Sequence, residues 1–90
     1  MKYVIIGKIG PHWGDDPKRR VDAVHQKLDA LNITLETVYY TQGAYDFMEV
    51  VEAEPEAMLA LSLWYKTSGY GELTSMPAFT METVTAAMKK

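Results

Sequence analysis

The residues of this 90-residue chain that could do chemistry are few: two histidines, six tyrosines, two tryptophans and twelve carboxylates, with no cysteine. His25 has the most suggestive position. It sits beside Val21, Val24 and Leu28, at the edge of what reads as an apolar helix face. An imidazole bordering a buried space can act as general acid or base, or ligate haem iron. The plain alternative is a boundary histidine half in solvent. Tyr45 is a second, weaker candidate for an acid–base role. His12 with Asp15 and Asp16 offers three oxygen or nitrogen donors on one loop, too few and too common a pattern to specify a metal site. No metal and no cofactor is therefore expected.

The aromatic residues form a second constellation: Tyr39, Tyr40, Tyr45, Trp64, Tyr65 and Tyr70, with His12 and Trp13 in a loop. Tyr and Trp combine apolar walls with a polar handle, which suits a pocket for a flat or hydrophobic molecule, and equally a small core or a subunit interface. The expected ligand contacts are His12, Trp13, His25, Tyr39, Tyr45 and Trp64. No Ser/His/Asp arrangement, phosphate-cradling glycine loop or HExxH pattern occurs.

Composition narrows the classes further. The absence of cysteine excludes a disulfide scaffold, thiol catalysis and Cys-ligated zinc or iron–sulfur centres. A net charge of −3 and an isoelectric point near 5.2 argue against nucleic acid as partner, because phosphate neutralisation needs a basic surface. The most apolar segment, Ala57 to Tyr65, is about half a membrane span, and nothing resembles an export signal, so the expected location is the cytoplasm. The length fits one domain spanning residues 1–90.

The elements that must position these residues follow from pattern. Tyr3 to Ile9 is β-branched and aromatic, a strand ended by Gly10-Pro11-His12-Trp13-Gly14. Asp15-Asp16-Pro17 opens a helix whose stripe is Val21, Val24, Leu28 and Leu31, with Asn32 as its stop. Ile33 to Gln42 and Asp46 to Ala53 are strands joined by a turn at Gly43-Ala44-Tyr45. Pro55 to Ser68 is a second helix ended by Gly69, and Leu73 to Phe79 a fourth strand. Thr80 caps a short last helix, Met81 to Met88. The order βαββαβ, with right-handed crossovers, predicts an α+β ferredoxin-like sandwich: a four-stranded antiparallel sheet with strands one and three central, and both long helices on one face.

Such a sheet should alternate apolar and polar if its second face met water. Here Val4 and Ile6 alternate with Ile5 and Ile9, and Met48 and Val50 with Phe47 and Val51. In strand two, one parity carries Ile33, Leu35 and Tyr39 and the other Val38 and Tyr40. The second face is substantially hydrophobic, so a homodimer or higher homo-oligomer through it is expected rather than a monomer whose terminal helix covers it. In the second helix, Leu59 and Leu63 lie opposite Ala57, Ala60, Leu61 and Trp64, and either the terminal helix or another subunit is expected to cover them.

From Tyr39 onward the chain resembles the GYD-domain family, small proteins named for a Gly-Tyr-Asp turn between strands two and three. The residues concerned are Tyr40-Thr41-Gln42-Gly43-Ala44-Tyr45-Asp46, then Glu52-Ala53, the Ala/Leu-rich helix from Ala57 to Leu63, and Thr74…Pro77-Ala78-Phe79-Thr80. The resemblance implies a dimeric α+β barrel, a fold shared with cofactor-less monooxygenases, lactone isomerases and haem-degrading enzymes; the family itself implies no established activity. For the turn motif Gly43, Tyr45 and Asp46, hairpin chemistry alone is a sufficient account. The expected function is a small-molecule-binding or accessory domain using the space between sheet and helices. The alternatives are a cofactor-independent oxygenase or isomerase acting on an aromatic or lactone-like substrate, and a pure assembly module. The enzyme reading needs a cavity of several hundred cubic ångströms with His25 or His12 pointing into it, and the assembly module predicts no cavity and a second interface through Leu59 and Leu63.

Overall fold

The run Tyr3-Val4-Ile5-Ile6 does what β-branched and aromatic residues favour, and β1 covers Lys2–Ile9. After it, Pro11 starts a turn of 3-10 helix over Pro11–Asp15 where the sequence predicts only a break. Then follow α1 (Pro17–Ala30), β2 (Thr34–Tyr40), β3 (Phe47–Glu52), α2 (Pro55–Thr67), β4 (Gly71–Pro77) and α3 (Met81–Met88). This computed structural model describes residues 1–90, except for the side chains of His12 and Trp13. The sheet order is β2-β3-β1-β4 with every neighbouring pair antiparallel, the α+β ferredoxin-like arrangement with β1 and β3 in the centre.

Local chemistry sets the element ends. Asp16 caps α1 by accepting the Arg19 N–H at 3.2 Å, and Pro17 occupies the first turn. Asn32 ends α1 with φ of 55°, in the left-handed region, and the Ile33 N–H then donates to the Leu28 carbonyl. β4 begins at Gly71, ahead of the predicted Leu73. Gly71 has φ of 146°, and a Cβ there would strike the Lys8 carbonyl oxygen, so only glycine lets β4 close on β1 at this point.

Register sorts the two faces of the sheet. Tyr3, Ile5 and Gly7 of β1 pair with Val51, Glu49 and Phe47 of β3, and these six positions look toward the helices. Val4 and Ile6 pair with Val50 and Met48 on the other side. Strand two departs from simple alternation: the register shifts between Leu35 and Thr37, inserting Glu36 as an extra residue. Past that bulge the phase reverses, so Leu35, Val38 and Tyr40 share the helix side while Tyr39 pairs with Met48 on the open side. The predicted grouping of Leu35 with Tyr39 against Val38 and Tyr40 is corrected accordingly. The Lys2 ammonium meets the Glu36 carboxylate at 2.7 Å and holds the bulge across the sheet.

The core lies between sheet and helices: Tyr3, Ile5, Leu28, Ile33, Phe47, Val51, Ala53, Met58, Leu61 and Tyr65 are buried. The two long helices contribute unequally. Met58, Leu61 and Tyr65 of α2 are all buried, whereas α1 sends in Leu28 alone. No residue of α3 is buried, and Met81 and Met88 are 74% and 79% exposed. The terminal helix therefore covers neither the open sheet face nor Leu59 and Leu63, which are 61% and 55% exposed. With α3 standing clear, the radius of gyration is 14.3 Å, against about 12 Å for a compact chain of this length.

Candidate functional site

The shallow seating of α1 leaves a cavity of about 400 Å³ between that helix and the sheet. Val21, Val24, His25 and Leu28 form its helical wall, Leu35, Val38 and Tyr40 its β2 wall, and Phe47 and Glu49 its floor, with Tyr65 closing the α2 side. These positions have sequence causes. Val21, Val24 and Leu28 repeat at helical spacing, and His25, four residues after Val21, falls on the same side. Val38 and Tyr40 reach the cavity because the bulge at Glu36 turned them inward. Gly7 lies opposite Phe47, and a Cβ there would strike the Phe47 ring. Glycine at that position lets the ring lie flat over β1 and set the floor.

Two cation–aromatic contacts tie α1 to Trp64 of α2 and to Tyr70 just after it. The Arg20 guanidinium stands 5.2 Å from the centre of the Tyr70 ring, and the Lys27 ammonium 5.8 Å from that of Trp64. Each such contact is worth about 0.5–1 kcal/mol at a partly exposed site. Trp64 and Tyr70 stack edge to face at 5.1 Å, Tyr65 and Tyr70 at 5.8 Å, and Phe47 and Tyr65 at 6.3 Å.

Glu49 is the residue that sequence reasoning missed. It pairs with Ile5 and Val38 on the helix side of the sheet, between buried Phe47 and Val51. Burial pushes its carboxyl above the ordinary value of 4.5, and the nearby His25 partly opposes the rise. Among the described residues no ion pair neutralises it. The sequence did hold a signal: Glu49 shares the parity of Phe47 and Val51, which places a carboxylate on a core face.

The remaining expected contacts fall elsewhere. His25 lines the cavity, with its side chain reaching solvent. Tyr39 is 65% exposed on the open sheet face, and Trp64 braces α1 from α2. Tyr45 lies at the hairpin tip with the Lys8 ammonium 5.9 Å from its ring centre, away from the cavity and from Glu49. The expectations for His12 and Trp13 fall on side chains outside those described. Among the described residues, no three His, Asp or Glu side chains gather as a metal site.

The turn that carries the resemblance works as a brace between strands. Gly43 adopts φ of 115°, and the Thr41 hydroxyl donates to the Tyr45 carbonyl at 2.7 Å. Thr41 N–H also donates to the Asp46 carbonyl at 2.8 Å. The Asp46 carboxylate accepts the Ile9 N–H of β1 at 2.7 Å, while its own N–H donates to the Gly7 carbonyl at 2.8 Å. Asp46 thus ties the hairpin to the central strand, where the sequence suggests a local turn contact. The model of the GYD domain matches residues 12–88. The chain belongs to the GYD-domain family. A search of curated proteins gave no match. No helix of this GYD protein is long and apolar enough to cross a membrane among the described residues.

Proposed function

We propose that this GYD-domain protein binds a small, largely apolar molecule in the α1–sheet cavity and assembles with its own kind through the open sheet face. The cavity is the observation that carries the first part. A well-packed domain of this size has few voids larger than a water molecule, whereas this space of about 400 Å³ lies in the range of small-ligand pockets. Its walls are apolar, with His25, Glu49 and two tyrosines as the polar groups, the usual division between filling and orienting a ligand. A pure assembly module has no need of such a space.

The second part rests on the open face. Val4, Ile6, Met48, Val50 and Met76 share it, with the Lys2–Glu36 pair at one end and the Lys8–Glu72 cross-strand pair at the other. An apolar centre with a charged rim is interface anatomy, and α3 leaves that centre uncovered.

The neutral fluorescent probe N-phenyl-1-naphthylamine tests the cavity. It should brighten with the wild-type protein and not with Val24→Phe, whose added ring occupies the space; equal brightening of both defeats the binding reading. Sedimentation velocity tests assembly. The wild type should sediment as a dimer or larger at micromolar concentration, and Val50→Lys, at the centre of the open face, as a monomer. A monomeric wild type defeats the assembly reading.

A further inference from the structure

Glu49 is an expensive residue for the place it occupies. A binding pocket for an apolar molecule needs a hydrogen-bonding group, and a serine, threonine or glutamine on β3 would supply one without a charge to desolvate. The chain instead puts an ionisable carboxyl between Phe47 and Val51, beside Ile5, at the floor of a cavity walled by valine and leucine. A carboxylate stripped of water is a stronger base than one in solvent, and a buried carboxyl whose charged form is disfavoured is the arrangement that proton-transfer sites use.

The polar groups that share the cavity with Glu49 complete the pattern. From α1 comes His25, from β2 Tyr40, and from α2 Tyr65, while the residues directly opposite Glu49 on its neighbouring strands, Ile5 and Val38, are apolar. His25 and Tyr40 are exposed, whereas Glu49 is half-buried. A bound molecule therefore has N–H and O–H donors on the solvent side and a more buried carboxyl away from it. The apolar walls favour an uncharged hydrocarbon body, and the donors on the solvent side favour a carbonyl oxygen turned toward them.

We propose that Glu49 is a general base that removes a proton from the carbon next to the carbonyl group of a flat, apolar ketone or similar carbonyl compound bound in this cavity, with His25 positioned to offset the charge on Glu49. The inference rests on the reading of the cavity as a binding site. In the step, the C–H bonding pair becomes a carbon–carbon double bond, the carbonyl π pair moves onto oxygen, and the proton passes to a Glu49 carboxylate oxygen. Its return to the same carbon gives exchange, and its return to a conjugated carbon gives an isomer. Atoms and electrons balance with no oxidant, reductant or further reactant.

The test uses 2-tetralone, a bicyclic apolar ketone, in D₂O, with deuterium incorporation beside the carbonyl followed by NMR. The wild type should accelerate exchange over buffer, with a rate that rises with pH as Glu49 ionises. Glu49→Gln should lose about 100-fold or more of the protein-catalysed rate, compared at equal cavity occupancy as titrated with N-phenyl-1-naphthylamine. His25→Gln should move the pH profile to higher pH, because Glu49 loses the group that favours its ionised form; a merely structural histidine would lower the rate without moving the profile. Exchange that is equal in wild type and Glu49→Gln, with dye binding intact in both, overturns the proton-transfer role and leaves the binding reading standing. A wild type that brightens the dye but does not exchange the ketone likewise overturns the proton-transfer role alone, and failure of the wild type to bind the dye overturns both.

Discussion

The two β-α-β halves of this sandwich have the same order of elements, yet one is core and the other is a pocket. In the half built on α2, Met58, Leu61 and Tyr65 drive into the sheet and leave little space. In the half built on α1, only Leu28 is buried, and Val21, Val24 and His25 look across an opening at β2. Side-chain length accounts for much of the difference. Leucine, methionine and tyrosine bridge the distance between helix and sheet, and valine does not. The bulge at Glu36 then adds Val38 and Tyr40 to the open half. A repeated fold unit is thus specialised by a few residue volumes.

Truncating one side chain in each half separates the core half from the pocket half most strongly. Leu61→Ala removes a fully packed group and should cost about 2–5 kcal/mol in chemical denaturation. Val24→Ala removes less and borders space that is already empty, so its cost should be about 1 kcal/mol. Equal losses would mean that α1 is as tightly seated as α2. The smallest effect concerns pH. In the folded protein Glu49 holds its proton to higher pH than in the unfolded chain. As pH rises from the ordinary carboxyl value of 4.5 through the raised one, the unfolded state has released a proton that the native state still holds. Stability then falls with rising pH across that window, and the loss is complete above the raised value. Glu49→Gln should match the wild type in acid and gain on it as the pH climbs through that window. A gain that does not depend on pH would place Glu49 in solvent.

Much of the scaffold was legible because its signals are local. Asp16-Pro17 starts α1, Asn32 ends it, Gly43 turns the hairpin and Thr80 caps α3 by accepting the Thr83 N–H at 3.2 Å. His25 could be placed beside a helical stripe by counting residues. Tyr39 could not be placed, because its face depends on a bulge that no residue type at Glu36 announces. Trp64 and Tyr45 are aromatic residues used as braces, and composition cannot tell a brace from a pocket wall. Parity places Glu49 on the core side, yet a glutamate in a half-exposed strand ordinarily faces water, so its residue type argues against its position.

Residue pattern alone is enough for the order of the elements, the antiparallel α+β sheet with β1 and β3 at its centre, and the hydrophobic surplus on the second sheet face. Caps, turns and side-chain periodicity act over a few residues, so they can be read without the fold. Only the tertiary structure decided that Val38, Tyr40 and Glu49 meet His25 around one cavity and that α3 leaves the open face bare. Those outcomes depend on strand register and on how far a helix stands from its sheet, and both are set by packing between segments remote in the chain.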